Sequence, residues 1–274
     1  MIFADITLSK RLERAEAHAC AQFAVSRRRL FPHSGAEWIE CGGAYAVFDG
    51  IGSPVTQSFG LGIFEPLTTA ALDTIERFFF DRGSEVNHEV SPLAGPAALA
   101  ILAERGYSPI EISSVLYRPV ENPAPAKAAN IEVHAATSSQ TQLWSEISAR
   151  GWAHEHPEFF DFVLQAGAII SGRADTFCFI ADLDRRPAAA GVLSLHEGVA
   201  LFGGASTIPE MRRRGLQAAL LEERMRFAFH RGCDLAMMVA EAGSNSQRNA
   251  ERKGFRIAYT RTKWRLPHPS QITA

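Results

Sequence analysis

The segment with the most chemical potential is Thr207-Ile208-Pro209-Glu210-Met211-Arg212-Arg213-Arg214-Gly215-Leu216-Gln217-Ala218-Ala219. Three consecutive arginines precede a glycine, and the glycine precedes a run of helix formers from Leu216 to His230. Upstream, Val199 to Ser206 is apolar and small and reads as a buried strand. A strand feeding a glycine turn at a helix start leaves the first helical amides without partners, and the helix dipole favours negative charge there. Gly215 permits close backbone approach and Arg212, Arg213 and Arg214 add charge. The chemistry is anion binding, and the guest that suits it is a pyrophosphate. On these residues alone, a basic surface turn that merely starts a helix is the alternative.

Other polar residues could act beside such a turn. Glu241 ends an apolar strand and is the first choice for a general base. Ser244, Asn245 and Ser246 open a short helix, which they cap or from which they donate hydrogen bonds. Trp152-Ala153-His154-Glu155-His156 falls in a loop between two helices, where His154 and Glu155 are candidates for binding an acceptor. Two histidines at i, i+2 lack a third ligand, so no metal is expected. Glu197, in a hairpin turn, is a weaker candidate. Phe159, Phe160 and Phe162 read chiefly as core.

The elements that must position these residues follow from periodicity and glycine or proline breaks. Helices are expected over Ile6–Arg29, Thr68–Asp81, Pro96–Arg105, Ser138–Arg150, Pro157–Ala168, Leu216 to near Gly232, and Asn245–Arg252. Strands are expected over Glu37–Cys41, Ala44–Asp49, Thr56–Phe64, Glu85–Val90, Tyr107–Tyr117, Ile131–His134, Phe177–Ala181, Ala188–Leu195, Val199–Thr207, Asp234–Ala240 and Phe255–Leu266. The Pro/Ala-rich stretch 121–129 reads as an extended linker.

The two halves echo each other. Arg77-Phe78-Phe79-Phe80-Asp81-Arg82-Gly83 matches Arg226-Phe227-Ala228-Phe229-His230-Arg231-Gly232 at five of seven positions, 149 residues apart. Gly106-Tyr107 recurs as Gly254-Phe255, 148 residues apart. Two matches in one order at nearly one offset indicate duplication. The first copy has Phe64-Glu65-Pro66-Leu67 before its helix, where an acid would repel a phosphate and proline removes an amide. That copy is expected to keep the fold without an anion site.

Arg212-x-x-Gly215-x-Gln217 after a strand resembles the cofactor motif of the GNAT acyltransferases, in which the last position is usually a small residue. The resemblance covers about Ile131–Leu266, with a weaker shadow over Ile6–Val120. It implies an α/β (α+β) fold of two GNAT-like domains, each a mixed, mostly antiparallel sheet flanked by helices. Domain 1–120 would be degenerate, 121–129 the linker, and 130–274 the N-acetyltransferase domain. It implies acetyl-CoA as co-substrate, its pyrophosphate on the turn at Arg212, Arg213, Arg214, Gly215, Leu216, Gln217 and Ala218. Its pantetheine arm would pair with Ala205, Ser206 and Thr207 of a splayed strand, an augmentation by amides, where Gly203-Gly204 suits a bulge. Asn245 would add a pantetheine contact. The family's usual tyrosine, four residues before the glycine of Gly-Phe, is Ala250 here. Proton donation to the leaving thiolate would then fall to Ser246, another nearby polar group or solvent. The implied reaction is acyl transfer to a primary amine of a small molecule or peptide, by direct attack in a ternary complex. A non-enzymatic acyl-CoA-binding or scaffold protein is the alternative.

Composition narrows the classes further. The chain has 274 residues, 46% hydrophobic and 21% charged, with 28 basic against 30 acidic residues. That balance offers no general nucleic-acid or membrane-attracting surface, and it ranks a transferase using charged tRNA last. Four scattered cysteines suit buried thiols. No apolar run approaches the roughly 20 residues of a membrane span, and the N-terminus does not resemble a signal peptide. A cytoplasmic protein is expected, with a homodimer left open.

Overall fold

The computed structural model describes residues 3–121, 130–154 and 157–272. The linker expected over 121–129 lies outside the described residues except for Glu121. Two units emerge, Met1–Tyr117 with Val239–Ala274, and Arg118–Met238.

In the first unit, α1 (Ile6–Leu30) starts at Asp5, whose carboxylate accepts from the Leu8 amide at 2.8 Å. Its small buried face, with Ala15, Ala17, Ala21 and Ala24, packs on a sheet. β1 (Glu37–Cys41) and β2 (Ala44–Phe48) form the expected hairpin around Gly42-Gly43, both at positive φ. β3 is only Gln57–Phe59, shorter than the sequence pattern suggests. Gly60 and Gly62 adopt φ of +78° and +72°, and that left-handed backbone ends the strand. α2 (Thr69–Phe80) is capped by Thr68, and β4 (Val86–Val90) follows, parallel to β3. α3 (Gly95–Glu104) leads into β5 (Ser108–Pro119).

The second unit begins with β6 (Ile131–Ala135), α4 (Thr141–Ala153) and α5 (Phe160–Ser171). β7 (Thr176–Leu183), β8 (Arg186–His196) and β9 (Val199–Thr207) form an antiparallel meander beside β6. α6 (Leu216–His230) crosses over to β10 (Leu235–Glu241), which starts parallel to β9. α7 (Asn245–Arg252) and β11 (Arg256–Leu266), which belong to the first unit, complete the chain.

The duplication is visible in hydrogen bonds. At the end of α2 the Ser84 amide donates to the Phe79 carbonyl at 3.1 Å; at the end of α6 Cys233 donates to Ala228 at 3.0 Å, each residue 149 positions on. Tyr107 donates to Leu102 after α3 and Phe255 to Ala250 after α7, 148 positions apart. The arginines of the repeat stack alike, Arg82 over Phe78 and Arg231 over Phe227. Glycine at left-handed φ makes each of these helix ends, so the matching sequence is matching cap chemistry.

One assignment is corrected. The sequence order gives β11 to the second half's sheet, but β11 hydrogen-bonds antiparallel to β4 on one side and to β5 on the other. It occupies the place beside β4 that the repeat would give to β5. The cause is electrostatic as well as geometric. Arg261 of β11 is 2% exposed and lies 2.6 Å from Glu16 and 3.6 Å from Glu13 of α1, and 2.9 Å from Glu89 of β4. Lys263 reaches Glu89 at 3.2 Å and Glu111 of β5 at 2.8 Å. Tyr259 donates to Glu13 at 2.7 Å. Residues 239–274 therefore group with the first unit rather than with 130–238, unlike the linear division at the linker.

Candidate functional site on the β9 strand and the turn before α6

β9 pairs with β8 along its length, but the register slips between Ala190/Ser206 and Val192/Gly203. Two residues of β9, Gly204 and Ala205, face one of β8, which is a β-bulge. Gly204 takes φ of +54°, and a Cβ there would stand 3.0 Å from Val192 Cγ2, so glycine is needed for both reasons. On the other edge, pairing with β10 ends at Leu201↔Met237, well before β9 ends at Thr207. Among the described residues, 203–207 have no ladder partner on β10. Ala205 is exposed; Ser206 and Thr207 bury their side chains. Ser206 Oγ donates to the Ser148 carbonyl of α4 at 3.3 Å.

A short 3-10 turn, Pro209–Met211, then brings the chain round to α6. Arg213 and Gly215 adopt φ of +63° and +88°, and α6 has no side-chain cap at Gly215. By contrast, α1, α2 and α7 are capped by Asp5, Thr68 and Ser244. The amides of Leu216, Gln217 and Ala218 thus open α6 with no side-chain acceptor provided, the arrangement that receives an anion.

The basic residues divide in use. Arg212 donates to the carbonyls of Thr207 (3.3 Å) and Gly151 (3.1 Å), clasping the strand end to α4. Arg213 and Arg214 are exposed beside Gly215. Gln217, the departure from the small residue of the motif, turns its amide back to Thr207 Oγ1 at 2.7 Å. Its side chain ties the turn to the strand. Leu216 is buried and Ala218 half-buried.

The remaining candidates sit elsewhere. Glu241 ends β10 and is exposed; Asn245 and Ser246 are exposed on the first turn of α7. Ser244 is the cap, donating nothing to the helix but accepting from Gln247 N at 3.2 Å. Ala250 is 2% exposed, so a methyl in the core stands at the expected tyrosine position. His154 is the exposed residue that ends α4; Glu155 lies outside the described residues.

Arg224 was not among the candidates. It is fully buried on α6, with burial lowering its pKa to about 10. Its NH1 donates to Val192 O at 2.8 Å and Gly203 O at 3.2 Å, and its Nε to Leu220 O at 3.2 Å. The signal was present: Leu216, Leu220, Arg224 and Ala228 form one stripe at i, i+4, i+8, i+12, and an arginine on an apolar stripe needs partners.

Residues 139–255, which include β9, the turn, α6, β10 and α7, match the model of the acetyltransferase (GNAT) family. Over those residues the chain is similar to a GNAT domain. Solved structures of GNAT proteins share the fold. A GCN5-related N-acetyltransferase from Kribbella flavida superposes with TM-score 0.64 at 19% identity, over 92% of this chain and 98% of that one. A tandem GNAT protein from the clavulanic acid biosynthesis pathway, solved without AcCoA, gives 0.59 at 13% identity over 97% of both chains. A GCN5-related N-acetyltransferase from Sphaerobacter thermophilus gives 0.55 at 17%, over 82% and 76%. At these identities the likeness is one of fold. A search of curated protein sequences finds no match. Among the described residues no helix is long and apolar enough to cross a membrane.

Proposed function

We propose that this GNAT protein transfers an acetyl or other acyl group from acyl-CoA to a primary amine of a small-molecule or peptide acceptor. The observation that carries this reading is a sequence of three features on one stretch of chain. β9 bulges at Gly204-Ala205, loses its β10 partner after Leu201, and runs directly into an uncapped helix start at Gly215. The free edge at 205–207 suits the amides of a pantetheine arm, and the α6 amides with Arg213 and Arg214 suit a pyrophosphate. In the second repeat only, glycine replaces the Thr68 cap of the first, which supports one cofactor site per chain.

In this reading the neutral amine attacks the thioester carbonyl in a ternary complex. A backbone amide of β9 stabilises the oxyanion. Glu241 accepts the amine proton, and the departing thiolate takes a proton from Ser246 or solvent. His154 and Glu155 are proposed to touch the acceptor. The test is release of free CoA thiol from acetyl-CoA across a panel of amines. Turnover with at least one amine, lowered by Glu241→Gln without weaker acetyl-CoA binding, is the expected result. Unchanged turnover removes Glu241 from the base role.

The buried Ala250 favours a second reading, an acyl-CoA-binding protein without transfer, because no phenol stands at that position. Heat-denaturation scans with acetyl-CoA separate the cases by ligand linkage. Stabilisation with no thiol release from any amine selects the binder; no stabilisation at saturating cofactor defeats both.

A further inference from the structure

We propose that Arg224 is a positioning residue for the cofactor-receiving edge of β9: its guanidinium fixes the bulge by holding the carbonyls of the register pair next to it. The inference rests on the acyl-CoA reading and assigns one side chain the task of keeping that edge open.

Val192 and Gly203 are the register pair immediately after the slip, and one nitrogen of Arg224 donates to both their carbonyls. The site is built around the cation. A Cβ on Gly191, the β8 residue opposite the two bulged residues, would stand 3.1 Å from Arg224 Cζ and NH1. The Phe202 ring lies 5.1 Å from the guanidinium carbon. Trp144 Nε1 donates to the Gly191 carbonyl at 3.3 Å and holds the facing strand. Among the described residues, the hydrogen bonds of Arg224 run to backbone carbonyls.

A cation buried to 2% exposure on carbonyls alone is expensive to fold. Methionine would fill the space without that desolvation. What the guanidinium adds is fixed, charge-assisted geometry at two carbonyls of a slipped ladder. Arg224 also stands on α6, the helix that opens at the Gly215 turn. One rigid element therefore sets both the turn that would take the pyrophosphate and the strand edge that would take the pantetheine. Loosening Arg224 should misplace the second contact while leaving the first intact.

The test compares two ligands on the full chain by calorimetry. One is CoA. The other is 3′-phosphoadenosine 5′-diphosphate, which keeps the nucleotide and pyrophosphate but lacks the pantetheine. The parent should bind CoA more tightly. Arg224→Met and Arg224→Gln should weaken CoA by about tenfold or more, the loss of roughly one charge-assisted bond's worth of alignment, and change the nucleotide by less than about twofold. Arg224→Lys should recover part of the CoA affinity. Gly191→Ala, which crowds the guanidinium, should reproduce the selective loss, and adding it to Arg224→Met should cost little more.

A folded Arg224 variant that keeps parental CoA affinity, or that loses both ligands equally, overturns the proposal. If Arg224→Met and Arg224→Gln fail to fold by circular dichroism, Gly191→Ala decides on the same criteria. A parent that binds the nucleotide as tightly as CoA also overturns it, while leaving a pyrophosphate site in place. A parent that binds neither ligand defeats the acyl-CoA reading itself, and this inference with it.

Discussion

Gly215 offers the cleanest separation of backbone strain from ligand access. It sits at φ +88° and is exposed, and a Cβ there would find its nearest neighbour, Ile131 Cδ1, at 3.6 Å, an ordinary contact. Space inside the protein is therefore no obstacle to a side chain; the backbone angle is. Gly215→Ala should destabilise folding by about 1–2 kcal/mol, the left-handed cost of a Cβ. Asparagine tolerates that region better, so Gly215→Asn should cost less than about 1 kcal/mol. Both variants place a Cβ beside the amides of Leu216 to Ala218, which have no side-chain cap. If a pyrophosphate docks there, displacing it from one amide loses about 1.5–3 kcal/mol, or roughly 10- to 150-fold in affinity. Urea denaturation gives the stability of each variant, and calorimetric titration with CoA gives the affinity. The expected pattern is a similar affinity loss in both variants with a larger stability loss in alanine. Parental CoA affinity in Gly215→Asn would refute the claim that this turn is the docking point.

Three further predictions concern side chains held by hydrogen bonds or ion pairs. Arg212→Ala releases the Thr207 and Gly151 carbonyls and should lower stability by about 1–3 kcal/mol in urea, since hydrogen bonds from a charged donor are lost. Arg261→Met leaves Glu13 and Glu89 buried without their guanidinium and should cost about 3–5 kcal/mol at pH 8, less below pH 5 where carboxylates take up protons. Burial, opposed by Arg261, raises the Glu13 pKa to about 7. A folded state that holds this proton more tightly than the unfolded chain is favoured fully below pH 4.5, and the advantage is lost as pH rises through about 7. The stability difference between the parent and Glu13→Gln should therefore change across that window with a slope of up to about 1.4 kcal/mol per pH unit. His88, buried and lowered to about 3, contributes the opposite slope to both proteins and cancels in the difference.

The features readable from sequence were those made by local chemistry. β9 and α7 appear over the residues the pattern indicates, because Gly198, the Ser244 cap and Gly254 punctuate them. The Gly203-Gly204 pair marked the bulge for the same reason. The repeat was legible because its matching residues are helix caps. What escaped depends on distant pairing. No periodicity tells which strands flank β11; that is decided by Glu13, Glu16, Glu89 and Glu111 converging on Arg261 and Lys263 from α1, β4 and β5. Within the candidate site, the arginines are alike as letters, yet Arg212 is occupied with carbonyls while Arg213 and Arg214 face solvent. Gln217 looked like a flaw in the motif until its hydrogen bond to Thr207 gave it a task.

The placement of β11 bears on how the chain is made. β4 has left the ribosome long before Thr262 and Lys263, its strand partners, are synthesised. Until then its inner edge offers open amides and carbonyls, and Glu13 and Glu89 lack their cation. The second unit, by contrast, has its β6 to β9 meander in continuous sequence and can pair as it emerges. Folding order should thus run against synthesis order: the part made first is completed last, by contacts spanning nearly the whole chain. A nascent chain stalled before Arg256 would be protease-sensitive in its opening third, and finishing the last strand would be the step that protects it.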